Sequence, residues 1–595
     1  MLRRTIVAWC ALILLCASLA RAQEKRVVLA DVATAPALSA DDAARLARYI
    51  GERLHASKSL TPLPPALKAD VTPRVVFVSV SNGDETAHVV MAPARGAMRA
   101  ADAAIAQMTK RVPDVAQRLW IKVDVVTRVD PLPAGATNLA LGINPSLEGL
   151  ELAGGVAFLS EELQGWHLVG NRRLIEESIY DYLDARPARG SVHNDAELRP
   201  VRRFACSSFF IRDDNTPDPL YRGHRAFTTA TSEDLHASAE AAAEYLVRSI
   251  QPTGKQDYSY RIDMDEVPRE YNIVRHAGAI WSMVDWYKHT KDEETLAAIE
   301  RSMRYLLAQV RPMRVGDVQA AGVVEEDVAS LGGNALAALA LASYIEVTGK
   351  KEHLPILRVL AKSMLAAQAP GGRFVIQRQK FSTGDVLFED GPYAPGEAIV
   401  AMLKVDDVDP DPALVDGAVR GAKFLITVRD ADKLPEELAH DHWLLYALRA
   451  LHARRPDKMY VEHSIRLCRS IIDQQHKRGD PKVEPDAIGA WSDARSTPAA
   501  VRSEGLLAAS ALMQSVGRVG EAKQFRDAAR ESIAFQLRTQ VWPESAMHCR
   551  NPRRAIGGFR EDLGGVYIRM DFVQHNLSGI LELIRQTEPA KTPVP

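Results

Sequence analysis

Cysteine is scarce in this chain: there are five in 595 residues, two of them, Cys10 and Cys16, near the N-terminus. Cys206, Cys468 and Cys549 lie far apart, which excludes a disulfide framework and a CxxC zinc site and leaves room for one bridge at most. An excess of one charge is lacking too. Lys and Arg number 74 against 76 Asp and Glu, with no basic block, so nothing points to nucleic acid. Beyond Leu19 no segment is apolar for long enough to span a bilayer. What is present is 47% apolar content, ample for sizeable cores, in a length that predicts more than one domain.

The first residues read as an export signal. Arg3 and Arg4 precede an apolar run from Ile6 to Leu19, and Ala20-Arg21-Ala22 supplies a small-x-small cleavage pattern. Residues 1–22 are therefore expected to be a signal peptide, with a periplasmic or secreted protein starting at Gln23 and carrying no integral membrane segment. Leu15 stands before Cys16 where a lipobox wants a small residue, so lipidation is not expected. Without Arg3, Arg4 and Arg21 the balance is 71 to 76, a net charge of −5.

Residues 23–211 mix elements and predict a small α+β domain. Arg74-Val75-Val76-Phe77-Val78-Ser79-Val80 is β-branched, Met98 to Arg111 is helical, and Trp120 to Val126 alternates at period two. The order of strand, Ala-rich helix and strand, followed by Gly149-Leu150-Glu151-Leu152 and Phe158-Leu159, resembles the AMMECR1 family, which has no settled chemistry to lend. That family's Arg-Gly-Cys-Ile-Gly motif is replaced by Ala94-Arg95-Gly96-Ala97-Met98. A polar stretch at 212–231, with Asp213-Asp214-Asn215 and Pro217-Asp218-Pro219, is expected to be a linker.

Residues 232–587 carry twelve helical patterns, near 232–250, 271–290, 292–310, 325–348, 351–369, 394–404, 411–429, 436–454, 457–477, 497–516, 519–540 and 569–587. Amphipathic helices alternate with all-round apolar ones. The third places Leu296, Ile299, Met303, Leu306 and Val310 on one stripe, whereas the fourth runs Leu331-Gly332-Gly333-Asn334-Ala335-Leu336-Ala337-Ala338. That alternation predicts an all-α (α/α)6 toroid with an outer and an inner ring. Connections leading into inner helices are mostly long, which is uncommon unless they serve a function. Residues 588–595 read as a flexible tail.

Polar groups gather where inner helices begin. The acids Asp327, Glu397, Asp441 and Glu504 and the histidines His276 and His442 are the candidate catalytic groups. Tyr271, Asn272, Arg275, Arg378, Tyr393, Trp443, Trp491, Arg502, Asp571 and His575 are the candidate substrate-binding groups. First-turn acids also stabilise a helix dipole, so about half of them need no other role. His440-x-His442 points its rings apart and lacks a third ligand at suitable spacing. No metal and no cofactor are expected. The arginines suit an anionic ligand, and planar polar and aromatic groups suit a sugar cleft.

This organisation resembles the large superfamily of six-hairpin glycosidases and related epimerases and lyases. The resemblance implies substrate at the mouth of the inner helices, worked on by paired carboxylates or by a Tyr or His base beside an Arg. Three readings follow. The first is a carbohydrate-active hydrolase cutting glycosidic bonds of an oligo- or polysaccharide with two acids. The second is a uronate epimerase or polysaccharide lyase with Tyr271/His276 or His442 as base. The third is a non-catalytic glycan-binding protein. The fold alone cannot choose among them.

Overall fold

The computed structural model describes residues 27–588, apart from 118, 119, 134, 389 and 390. The expected signal peptide and the tail beyond residue 588 lie outside the described residues. The chain divides into two compact units: residues 1–225 with 543–549, and residues 226–542 with 550–595.

The first unit is built on an antiparallel sheet. Its strands are β1 (Pro73–Ser81), β2 (His88–Arg95), β3 (Trp120–Pro131), β4 (Gly149–Leu152), β5 (Ala157–Phe158), β6 (Pro200–Ile211), β7 (Pro217–Tyr221) and β8 (His224–Arg225). The main path runs β8-β7-β6-β3-β1-β2, with β4 joining β6 and β5 joining β4. Val76, Val78 and Val80 of β1 pack under α1 (Ala40–Leu54) and α2 (Ala97–Arg111), while Val75 and Phe77 join Phe204 and Met547 on the opposite face. A strand apolar on both faces belongs at a sheet centre. The expected linker is corrected here. Phe209 pairs with Pro219 and Phe210 with Asp218, so part of 212–231 extends the sheet. The proline-rich composition suits an outer position, where missing N–H groups cost nothing.

The second unit contains all twelve expected helices. They are α3 (Ser232–Arg248), α4 (Ile273–Thr290), α5 (Glu293–Leu307), α6 (Leu331–Thr348), α7 (Leu354–Ala366), α8 (Ala394–Val408), α9 (Pro412–Phe424), α10 (His442–Arg454), α11 (Lys458–Asp473), α12 (Ser496–Ser515), α13 (Val519–Thr539) and α14 (Met570–Thr587). Among them α4, α6, α8, α10, α12 and α14 pack successively, and α14 closes on α4. This inner ring is bounded by the other six. Leu331 to Ile345 of α6 are buried all round, as a helix packed on both sides requires.

Two boundaries move. Residues 325–330 are not helix: β9 (Val310–Val315), β10 (Val318–Glu325) and β11 (Val328–Ser330) form a meander whose tight turn holds Glu326 and Asp327 at φ 46° and 67°. Two further strands, Arg378–Lys380 and Val386–Leu387, complete a five-stranded antiparallel sheet. The connections expected to be irregular are therefore partly sheet. The eighth helix starts at His442 rather than near 436, because Asp441 caps it by accepting the Leu444 N–H at 3.0 Å.

Candidate functional site

Six inner helices begin around one cleft of ≈ 540 Å³. Their N-cap residues are Asn272, Ser330, Tyr393, Asp441, Arg495 and Arg569, and all but Asp441 line it. The closed ring thus brings together side chains up to three hundred positions apart. It also aims the positive ends of six helix dipoles at the same space.

One wall carries acid and guanidinium groups. Arg569 grips Asp571 through Nε (2.9 Å) and Nη2 (2.6 Å), and Arg275 approaches the same carboxylate at 3.7 Å. Burial alone would raise Asp571, but these arginines hold its carboxyl below the usual value. Glu397 is buried beside Gly332. Burial pushes its carboxyl up to about 7, against the Arg275 charge and with help from Asp441. A proton on Glu397 is therefore exchangeable near neutral pH.

Opposite stand two histidines. His442 opens α10 and His575 lies in the second turn of α14, with ring centroids 5.3 Å apart and planes at 84°. Both line the cleft. His575 Nδ1 bonds Glu504 Oε2 at 2.9 Å, which leaves Nε2 for the cleft. Neither ring nitrogen of His442 has a hydrogen-bond partner, and burial, with His575 and Arg275 adding to it, drives this imidazole well below its ordinary pKa. The ring is therefore held neutral. Of the aromatic residues at the cleft, Tyr393 presents an exposed ring, whereas Trp443 and Phe572 are buried.

A third cluster surrounds Arg502. Its guanidinium lies 4.8 Å from the Trp491 ring centroid, and its Nε donates to His440 Nδ1 at 2.9 Å. Burial pulls Arg502 below its ordinary value, and pulls His440 down to about 4 with the Arg502 charge contributing.

The expected site residues divide accordingly. Asn272, Arg275, Tyr393, Glu397, His442, Trp443, Arg502, Asp571 and His575 meet in the cleft. Glu504 and Trp491 stand one contact behind it, Glu504 on His575 and Trp491 beneath Arg502 with its indole N–H on the Ile471 carbonyl. The remaining expected residues do not line this cleft. Asp327 occupies the meander turn and binds the Ser382 N–H and hydroxyl. Asp441 is fully buried between the α10 cap and Arg429 at 3.1 Å. His276 faces α5, with Nε2 on Ser302 and Nδ1 3.0 Å from the Tyr271 hydroxyl, so both residues serve a packed core contact. Arg378 is exposed on its strand and does not line the cleft. His440, Ser330, Thr497 and Phe572 line it without having been nominated. Ser330 and its capping pattern were readable; the others depend on ring closure.

His442, Glu504 and His575 also place three ligand atoms within 4.8 Å of one another, a set that could hold a divalent ion. Spacing conceals it, because the three residues lie on three helices. The first unit has a smaller cleft of ≈ 380 Å³ near Asp124, Glu161 and Cys206. Lys122 lies within 2.5 Å of Asp124 and 3.2 Å of Glu161, and burial pushes the Cys206 thiol up, so this cluster offers no activated nucleophile.

No family model and no curated protein matches the chain, which leaves the AMMECR1 resemblance without support. Solved structures do match. A D-mannose isomerase is 16% identical with a TM-score of 0.43, over 60% of this chain and 98% of that one. The cellobiose 2-epimerase from Bacillus thermoamylovorans B4167 is 12% identical with a TM-score of 0.46, over 60% and 99%. The GH76A α-1,6-mannanase of Salegentibacter sp. HEL1_6 is 12% identical with a TM-score of 0.40, over 60% and 100%. Such likenesses bring no chemistry to this chain.

Proposed function

We propose that the toroid is a carbohydrate-active enzyme that moves a proton at a sugar carbon next to a carbonyl or carboxyl group, giving epimerisation or aldose–ketose isomerisation. The observation that carries this reading is the pairing of His442 and His575 in the cleft, one without a hydrogen bond on either ring nitrogen and 3.7 Å from Glu504, the other hydrogen-bonded to that carboxylate. A neutral imidazole takes the C–H proton, the electron pair passes into an enediolate, and a proton returns to carbon or oxygen from the imidazolium so formed or from the second histidine when it enters the step protonated on both ring nitrogens. Arg275, at the cleft wall, is the cation that steadies the developing oxyanion. Export through the N-terminal signal belongs to the same proposal, and N-terminal sequencing of the secreted protein would reveal a start at Gln23.

Glycoside hydrolysis is the second reading, favoured by the opposite shifts of Glu397 and Asp571. An acid near 7 beside an ionised carboxylate is the division of labour that hydrolysis uses. Against it, both Asp571 oxygens are engaged by Arg569.

The test is incubation with neutral and uronate sugars and their oligomers in D2O, followed by NMR and mass spectrometry. Proton transfer incorporates deuterium at one carbon without shortening the chain. His442→Ala and His575→Ala should each slow that exchange by roughly 10²–10⁴-fold. Chain shortening without carbon-bound deuterium and without an unsaturated sugar end would establish hydrolysis instead, and shortening with an unsaturated end would establish elimination. Binding without any product would favour a glycan receptor.

A further inference from the structure

Among the arginines lining the cleft, Arg502 differs in having no carboxylate within ion-pair distance among the described residues; Asp493, also on the cleft, acts on it only from farther away. Arg569 and Arg275 share Asp571, and Arg495 reaches Glu561 at 3.0 Å. No acid among the described residues comes within 4 Å of Arg502, and its Nη1 is buried without a hydrogen bond. An unpaired buried donor of this kind is costly unless a ligand completes it.

The surroundings fix this guanidinium in place. Trp491 lies against it, and Trp491 is itself anchored on the Ile471 carbonyl. His440 Nδ1 accepts the Nε–H, so the His440 proton resides on Nε2, which faces Ser470 Oγ at 3.3 Å. Ser470 in turn donates to the Pro435 carbonyl. Arg502 lines the cleft, and with Nε engaged by His440 its terminal nitrogens make no hydrogen bond among the described residues.

We propose that Arg502 is the specificity-determining residue of a carboxylate subsite, and that the sugar handled by the toroid is a uronic acid or a glycan containing one. A single planar guanidinium matches a carboxylate in charge and in bidentate geometry, and leaves a phosphate dianion half neutralised. Tyr393, exposed on the same cleft, supplies a face for the sugar ring. The assignment of the sugar rests on the carbohydrate reading above, whereas the anion subsite does not require the proton-transfer step.

Titration calorimetry at pH 7 with D-glucuronate, D-galacturonate, D-glucose and D-glucose 6-phosphate tests it on the full chain. The uronates should bind at least ~10-fold more tightly than glucose, a difference of about 1.4 kcal/mol. Arg502→Gln should abolish that preference, and Arg502→Lys should retain part of it, with unchanged circular dichroism in both. Equal binding of uronate and glucose, or a preference that survives Arg502→Gln, overturns the subsite, as does tighter binding of glucose 6-phosphate than of either uronate. His442→Ala separates the two claims: it should keep the preference while losing deuterium exchange. Preference without exchange in the unmodified protein would leave the subsite standing and remove the proton-transfer reading.

Discussion

Glu397 shows how one residue couples the site to stability. Its carboxyl titrates near 7 in the folded chain, above the ordinary value of 4.5. The folded state therefore holds this proton more tightly than the unfolded state does. That stabilisation is complete below pH 4.5 and is lost as the pH rises through 7. Glu397→Gln cannot ionise, so thermal unfolding at pH 5 should change little, while at pH 8 the variant should be more stable by on the order of 2–3 kcal/mol. Activity should fall at both values if Glu397 exchanges protons with substrate. Much of this was legible in sequence: an acid in the first turn of an apolar helix is either a dipole partner or a functional group. Asp441 was the harder case. It also stands at the start of an inner helix, as the cap rather than within the first turn, yet Arg429 arrives from the preceding π-turn and claims it. Sequence spacing does not show which acid a distant arginine will reach.

At the scale of an element, the start of α6 is the instructive boundary. Acidic Glu325-Glu326-Asp327 ahead of an apolar run looks like a helix N-terminus. Backbone pairing of Val324 with Ala329 makes it a β-turn instead, and Ser330 becomes the cap by accepting the Gly333 N–H at 3.0 Å. Asn334 then ties the helix to its neighbours: Oδ1 accepts the Val323 N–H at 2.7 Å and Nδ2 donates to Ser363 Oγ at 3.2 Å. All three groups are buried. Replacing Asn334 with Ala orphans the strand N–H, so urea unfolding should show a loss of about 1–3 kcal/mol. A loss below about 0.5 kcal/mol would mean that this amide is not what holds β10 against α6. The twelve-helix count was readable because apolar periodicity is local, whereas the meander depended on pairing between two loops separated by α6 and α7.

For the molecule as a whole, the division into units was only partly legible. Composition changes near residue 230, and the boundary at 225/226 lies close to it. Nothing in the composition of residues 543–549 reveals that they belong with the first unit. There Met547 enters a core cluster with Phe77 and Phe204. Its carbonyl accepts the Ala87 N–H at 2.7 Å, and buried Glu544 pairs with Arg225 at 2.8 Å. A fragment of residues 27–225 should therefore unfold at lower urea than the same fragment with 543–549 joined through a flexible linker. Coincident midpoints by circular dichroism would show that the segment adds nothing to that unit.

The returning segment also sets an order of events during synthesis. Residues 226–542 must leave the ribosome before the first unit can receive its last core side chain. At ~5–20 residues per second that interval is roughly 15–60 s. Until it ends, the strand faces around Phe77 and Phe204 lack Met547, and the nascent chain exposes apolar surface that a finished unit would hide. An N-terminal unit completed by a C-terminal segment cannot fold strictly in the order in which it is made.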